Sequence, residues 1–318
     1  MKNILINDGL SQSGKQKLIQ YGFEIIDQKI NPENLIEFIN TNNICAILVR
    51  SSTEIRKQII DSCPSIKLIG RGGVGLDNID VDYAKKKGID VINTPTASSK
   101  SVSELVFAHL FSLSRFLFHS NRTMPLEGDF NFKTLKSNYS EGIELGGKTI
   151  GIIGFGKIGQ EVAKIACGLR MKVIFYDKYI TNVNIEFQFD DDNQFNIKLV
   201  KSSFSTLIQT ADFITIHVPK QDKPLIKKTE LSKMKKNVII INTSRGGIID
   251  EADLVDALNK RTVGFAGLDV YENEPKPSMG ILMNEYISLS PHIGASTHEA
   301  QDRIGIELAN QINKIING

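Results

Sequence analysis

The chain has 318 residues, of which 41% are hydrophobic and 23% charged, and its formal net charge is +2. That length suits two domains, each able to bury its own core, and the composition is ordinary for a soluble protein. The small net charge gives no argument for a polyanionic partner, no basic stripe with interleaved aromatics points to nucleic acid, and no apolar run approaches the length of a membrane span.

The opening MKNILIN is a short amphipathic strand followed at once by polar residues, unlike a signal peptide. Three cysteines (Cys45, Cys63, Cys167) are scattered without metal-ligand or redox spacing, so no metal is expected. Cys45 and Cys167 sit among apolar residues and are expected in the core, whereas Cys63 precedes a proline in an expected loop. These features lead to the expectation of a cytoplasmic, reducing setting.

Apolar runs at 4–6, 23–26, 44–49, 66–69 and 89–92 predict strands, and polar segments with helical periodicity, such as 32–39 and 55–60, lie between them. Alternation of this kind predicts an α/β fold with a parallel sheet and helices on both faces. After Pro95 a serine-rich entry (Ser98, Ser99, Ser101) leads into a predicted long amphipathic helix over 102–119, expected to pass from one domain to the other. The segment 121–145, rich in Gly, Asn, Phe and Lys, predicts an irregular arm that packs on a second subunit, giving a homodimer.

The stretch 148–177 reads KTIGIIGFGKIGQEVAKIACGLRMKVIFYD. It is strand, glycine loop, helix, strand and acid in order, which is the dinucleotide-binding fingerprint in its full context. Gly154 permits the tight turn, Gly156 lets backbone N–H groups approach a pyrophosphate, and Gly159 lets the helix pack close to the strand. The helix N-terminus adds partial positive charge. Asp177 is placed to accept hydrogen bonds from both ribose hydroxyls and to repel a 2′-phosphate, so NAD is favoured over NADP, although the adjacent Lys178 would tolerate a phosphate.

Beyond Asp177, Ile185, Phe187 and Phe189 alternate with polar residues, Asp190-Asp191-Asp192-Asn193 intervenes, and Phe195, Ile197 and Leu199 alternate again. This predicts a β-hairpin with a solvated acidic turn; the acids lack the spacing of a calcium loop. Strands are then predicted at 213–217, 238–241, 265–270 and 287–289, and an amphipathic helix at 299–316.

Ligands in open α/β sheets bind outside the carboxyl ends of the strands. The residues there are Asn242-Thr243-Ser244-Arg245-Gly246-Gly247, then Asp269 with Tyr271-Glu272-Asn273-Glu274-Pro275, then Pro291-His292-Ile293-Gly294. Arg245 suits a carboxylate, which it can grip with two parallel hydrogen bonds, and it can polarise a neighbouring carbonyl. His292 is the group nearby that titrates near neutrality and is the expected acid–base residue. Glu274 beside it would favour imidazolium and orient the ring, and Asp269 would hold the nicotinamide end of the cofactor.

GFGKIG with Asp177, NTSRGGIIDE, GLDVYENEP and SPHIGAST together resemble the signatures of the NAD-dependent D-2-hydroxyacid dehydrogenases along the length of the chain. The resemblance implies Arg245, Glu274 and His292 as the catalytic set. It implies two Rossmann-like domains, with an NAD-binding domain at 98–293 inserted into a flavodoxin-like substrate domain at 1–97 and 294–318. Val74, Lys157, Ile158, Val218, Pro219, Thr243, Ser244, Gly294 and Ala295 complete the expected cofactor contacts.

Arg50 and Arg71 follow predicted first-domain strands and are expected to face the interdomain cleft. Arg71 opens the run Gly72-Gly73-Val74-Gly75, whose N–H groups would form an anion nest. Because Arg245 already serves a carboxylate, two further cations suggest a phosphorylated substrate. VRSST and GRGGVGLDNID resemble the corresponding segments of D-3-phosphoglycerate dehydrogenases, implying oxidation of 3-phospho-D-glycerate at the entry to serine synthesis. The resemblance also implies that the chain lacks the extra C-terminal regulatory domains of longer relatives, so no serine feedback through them is expected. The rivals are another 2-hydroxyacid dehydrogenase, such as a glyoxylate/hydroxypyruvate or D-lactate-type reductase, and an NAD-sensing corepressor-like binding protein, which needs no acid–base pair.

Overall fold

The computed structural model describes residues 2–188 and 194–318, and the chain divides into two compact units, Met1–Ser101 with Ala295–Gly318, and Val102–Gly294. The first unit runs β1 (Asn3–Ile6), α1 (Gln12–Gln20), β2 (Glu24–Asp27), α2 (Pro32–Thr41), β3 (Ile44–Val49), α3 (Lys57–Ser62), β4 (Leu68–Arg71), α4 (Val81–Lys86) and β5 (Asp90–Asn93). Its strands form one parallel sheet in the order β2-β1-β3-β4-β5, the flavodoxin-like winding. Local signals match the elements: the Ser11 hydroxyl accepts from the Gly14 N–H at 3.2 Å to cap α1, and Pro32 opens α2, where its missing N–H costs nothing. β3, ICAILV, is buried almost throughout, as a central parallel strand requires.

Helix α5 (Ser99–Ser114) crosses the boundary between the units along the chain. Then follow α6 (Leu117–Glu127), α7 (Phe132–Asn138), β6 (Thr149–Ile153), α8 (Lys157–Gly168), β7 (Lys172–Tyr176), β8 (Asn182–Gln188), β9 (Gln194–Val200), α9 (Phe204–Thr210), β10 (Phe213–Ile216), α10 (Lys228–Leu231), β11 (Val238–Asn242), α11 (Glu251–Asn259), β12 (Val263–Leu268), α12 (Met279–Leu282) and β13 (Ile287–Leu289). The main sheet is parallel, in the order β13-β12-β11-β10-β6-β7. Two apolar clusters cover it; one contains Phe155 stacked on Phe175, ring centroids 3.9 Å apart and both rings fully buried. Truncating either ring to Ala is worth about 3–5 kcal/mol. β8 and β9 form a separate antiparallel pair. The acidic turn expected between them, with Phe189, lies outside the described residues.

Helix α13 (His298–Ile316), capped by Thr297, belongs to the first unit. Its Ile304, Leu308, Ala309 and Ile312 join Ile4, Ile6, Leu18 and Leu48 in one core. A Cβ on Gly14 would stand 2.6 Å from the Gly305 Cα, so α1 and α13 approach as only glycines allow.

Four expectations need correction. The helix expected at 102–119 is two helices, because Phe116 takes a left-handed backbone (φ 52°) between Ser114 and Leu117. Most of the arm expected to be irregular at 121–145 is helical, in α6 and α7. The cysteines differ in burial: Cys63 stands in a loop as expected, yet it is fully buried and burial pushes its thiol up to about 11, while Cys45 and Cys167 pack against the cores but are only partly buried. The first unit runs on to Ser101, past the boundary expected after residue 97, and the Ser101 hydroxyl donates to Thr297 Oγ1 of the same unit.

Candidate active site

The main sheet of the second unit reverses its winding between β6 and β10, and the fingerprint loop sits at that switch point. Gly154 has φ 90° and its N–H donates to Tyr176 O at 2.8 Å; a Cβ there would stand 2.5 Å from the His217 carbonyl oxygen. A Cβ on Gly159 would collide with the Gly154 carbonyl, so the first turn of α8 must lie against the loop. Gly156 differs: a Cβ there would meet nothing within 4 Å. Among the described residues no contact demands glycine at 156, which fits a position kept clear for a ligand.

Asp177 directly follows β7 and is engaged by the loop. Its Oδ2 accepts the Phe155 N–H at 2.7 Å, and its Oδ1 accepts those of Tyr179 and Ile180 at 2.8 and 3.0 Å. Burial works to raise its pKa, but these backbone donors outweigh burial and the pKa is lowered. A carboxylate offers about four acceptor sites; three are taken by backbone donors, so besides the ribose contacts expected of it Asp177 also anchors the loop. Beyond the carboxyl ends of β10 and β11, His217 Nδ1 and Thr243 Oγ1 are buried without a hydrogen-bond partner among the described residues. Orphaned polar atoms of this kind at a ligand edge are satisfied by a bound molecule or water, and they fit a dinucleotide. Val218, Pro219 and Ser244 follow the same strand ends. Lys157 and Ile158 open α8, whose N-terminus suits phosphate.

Arg245, Glu274 and His292 all belong to the second unit. Asn242 shapes the turn that carries Arg245: its Oδ1 accepts from the Ser244 N–H and hydroxyl at 3.0 and 2.8 Å, and its amide donates to Arg245 O at 2.9 Å. The Arg245 guanidinium donates to Ser244 O at 2.6 Å. The loop after β12 is tied to α11 by a reciprocal pair, in which Glu272 N–H donates to Glu251 Oε1 at 2.7 Å and Glu251 N–H donates to Glu272 Oε1 at 3.1 Å. Burial raises the Glu251 pKa. From this loop Glu274 Oε2 reaches His292 Nδ1 at 2.8 Å. Burial opposes ionisation of Glu274, but the His292 hydrogen bond and charge, the Tyr271 N–H and the charge of Arg245 outweigh it, and the pKa is lowered. With Nδ1 engaged, Nε2 is the ring nitrogen left for proton transfer.

Asp269 is almost fully buried. Its Oδ1 accepts the Ser290 hydroxyl at 2.6 Å and the Ile293 N–H at 2.8 Å, and its Oδ2 accepts the Gly294 N–H at 2.9 Å. It therefore braces the turn that holds His292, a role the sequence reading did not foresee.

In the first unit, Arg71 ends β4 opposite Val49, and Arg50 follows directly on β3. A Cβ on Gly72 would lie 3.6 Å from Arg50 Cγ, and one on Gly73 would overlap the Arg71 guanidinium, so the two arginines flank one glycine pair. The anion nest expected at 72–75 is corrected: the Gly72 and Gly73 N–H groups donate to Val49 and Arg71 carbonyls at 2.9 and 3.0 Å, leaving those of Val74 and Gly75. Val74 is itself held through its carbonyl by the Asn93 amide at 2.6 Å. Ala295 starts the return to this unit. Sequence reasoning missed Asp8, whose carboxylate accepts from the Arg50 and Thr53 N–H groups (2.7 and 3.1 Å) and the Ser52 and Thr53 hydroxyls (both 2.6 Å), and pairs with Lys29. Its one signal is an acid two residues past the end of the first strand.

A switch-point glycine loop, an acid directly after β7 and an Arg–Glu–His set on the same sheet define the class: a dinucleotide-binding fold equipped as the NAD-dependent oxidoreductases are. A family model for the NAD-binding domain of the D-isomer specific 2-hydroxyacid dehydrogenases matches residues 107–294, and the chain belongs to that family. It is 38% identical to a D-3-phosphoglycerate dehydrogenase of Methanocaldococcus jannaschii over 100% of this chain but 58% of that protein. It is 39% identical to a hydroxypyruvate reductase of Thermotoga maritima over 97% of this chain and 96% of that one. Among solved structures, the NAD+-bound 3-phosphoglycerate dehydrogenase of Entamoeba histolytica superposes with a TM-score of 0.79 at 26% identity, covering 100% of this chain and 96% of the other.

Proposed function

We propose that the protein oxidises 3-phospho-D-glycerate to 3-phosphohydroxypyruvate with NAD. Bound at the glycine loop, NAD supplies the hydride acceptor. Arg245 holds the substrate carboxylate through paired N–H donors and favours charge on the C2 oxygen. His292 Nε2 takes the C2 hydroxyl proton as C2 gives up its hydride, and Glu274 stabilises the imidazolium that results. In the reverse direction the same proton returns to the carbonyl oxygen.

The observation that carries the choice of substrate is the pair Arg50 and Arg71 flanking one glycine pair, assigned here to the phosphate. Phosphoglycerate dehydrogenase relatives support this reading, although the chain spans only 58% of the Methanocaldococcus protein. The Thermotoga hydroxypyruvate reductase, matched over 96% of its length, favours an unphosphorylated substrate instead. NADH formation or consumption across a panel of 2-hydroxy and 2-oxo acids, with and without phosphate, separates the two. Phosphoglycerate turnover lost in Arg50→Ala and Arg71→Ala, with glyoxylate turnover retained, supports the proposal; unchanged phosphoglycerate kinetics in both variants sinks it.

A homodimer belongs to the same proposal. Leu117, Leu126, Phe130 and Phe132, on and between α6 and α7, are 60%, 74%, 76% and 56% exposed, an apolar display suited to a second copy. A sedimentation mass of one chain at micromolar concentration rejects it.

A further inference from the structure

His109 lies on α5 in line with the buried Val106, Leu110 and Leu113, and is itself 4% exposed. Gly267 on β12 makes room for it, since a Cβ there would stand 2.9 Å from the His109 Cβ. Its ring is nevertheless bonded at both nitrogens: Nδ1 lies 2.9 Å from Ser288 Oγ and Nε2 lies 3.0 Å from Ser290 Oγ.

The direction of each bond follows from the far end. An ionised carboxylate only accepts, so Ser290 donates its one proton to Asp269 Oδ1. The Ser290 oxygen must then accept from His109, which puts the ring proton on Nε2. Burial pushes the His109 pKa down, so the ring is neutral and Nδ1 accepts from the Ser288 hydroxyl. The chain thus runs one way: Ser288 to His109, His109 to Ser290, Ser290 to Asp269. Asp269 in turn receives the Ile293 and Gly294 N–H groups. The residue before them, His292, has φ 55°, a backbone conformation that persists in a non-glycine residue only when its surroundings enforce it.

We infer that His109 is a positioning residue: by committing the Ser290 proton to Asp269 it holds the carboxylate that clamps the 292–294 turn, and so holds the His292 imidazole. The catalytic consequence rests on His292 being the acid–base group proposed above. The clamp itself does not, and can be measured without turnover. When His109 lacks an Nε2 donor, the Ser290 hydroxyl is free to rotate and the Asp269 carboxylate loses its fixed orientation.

The test uses the full-length protein without cofactor, with amide hydrogen exchange at Ile293 and Gly294 as the primary readout. NADH affinity by fluorescence and the split between kcat and KM are the second and third. His109→Leu and Ser290→Ala each raise exchange at both amides about tenfold, the scale of losing one buried hydrogen bond. They lower kcat more than they raise KM for the hydroxyacid. His109→Gln, whose side-chain amide can place an N–H near the Nε2 position, restores most of the protection. Unchanged exchange at the two amides in the Leu and Ala variants overturns the inference, as does a Gln variant no better than Leu, which would make the residue a packing element only. If His109→Leu does not fold, Ser290→Ala and His109→Gln decide. A wild-type protein that turns over no hydroxyacid counts against the proposed function, whereas the exchange rates still decide the clamp.

Discussion

Glu274 holds His292 with one carboxylate oxygen and the Tyr271 N–H with the other, at 2.8 and 3.0 Å. The partner of the imidazole is therefore itself fixed, and the ring inherits that orientation. The Glu274 pKa is lowered in the fold, so this pair contributes stability above the usual glutamate pKa, and the contribution is lost as pH falls through the lowered value. Glu274→Gln is expected to lower kcat by about a hundredfold, within the range of acid–base assistance, with NADH affinity unchanged. His292→Asn is expected to abolish turnover and also spare NADH binding. A fluorescence titration in which either variant loses cofactor affinity in step with activity contradicts this division of labour.

Gly154 and Gly156 are two residues apart and are expected to respond in opposite ways. A Cβ at 154 meets the His217 carbonyl and the backbone is left-handed, while a Cβ at 156 meets nothing. Gly154→Val is expected to lower the melting temperature of the cofactor-free protein. Gly156→Val is expected to leave that temperature within a degree or so of wild type while weakening NADH binding at least about tenfold, a loss of roughly 1.4 kcal/mol. Equal melting losses in the two variants would refute the assignment of open space to a ligand.

Burial depresses the His217 pKa from 6.5 to about 3. Below pH 6.5 the unfolded chain takes up a proton that the folded chain refuses until about pH 3, so stability falls across that window as pH drops. His109, lowered by its own burial, acts in the same sense. Thermal melts between pH 7 and pH 4 check this: His217→Asn is expected to show a shallower decline than wild type, and parallel curves argue against it.

Asp8 acts in the next window down. Its pKa falls from 3.8 to about 2; burial opposes this but is outweighed by Lys29 and the Ser52, Thr53 and Arg50 donors. Its stabilisation is present above pH 3.8 and lost as pH falls toward 2. Asp8→Asn is expected to cost about 1–2 kcal/mol at neutral pH, after allowance for solvent screening, and much less near pH 2. Urea unfolding at the two pH values measures it. Because Asp8 accepts from the Arg50 N–H, KM for a phosphorylated substrate is expected to rise in the same variant.

Much of this was legible in the residues themselves. Apolar runs such as ICAILV announce buried parallel strands because both of their faces must be covered, and the fingerprint carries its own strand, helix and acid. The break at Phe116 was not legible, since a phenylalanine gives no local warning of a left-handed backbone; its ring packs on Tyr139 and Phe265, far along the chain. Cys63 read as a loop residue because of the proline after it, yet it caps α3 with its side chain inside the core. Asp269 read as a ligand group because it ends a strand, and its hydrogen bonds to Ser290, Ile293 and Gly294 depend on a turn more than twenty residues on. Glycine loops and strand ends are local statements. The bracing around them is tertiary.

The packing of α13 against α1 and the first sheet has a consequence for biosynthesis. On the ribosome, β1 through β5 emerge early, but the apolar face formed by Ile4, Ile6, Leu18 and Leu48 is completed by Ile304, Leu308, Ala309 and Ile312. The whole second unit is made in the interval. The nascent chain therefore carries an uncovered sticky surface on its first-made portion while its later-made portion is already able to fold. The inserted unit is free to mature first, and the outer one waits for the helix that closes it.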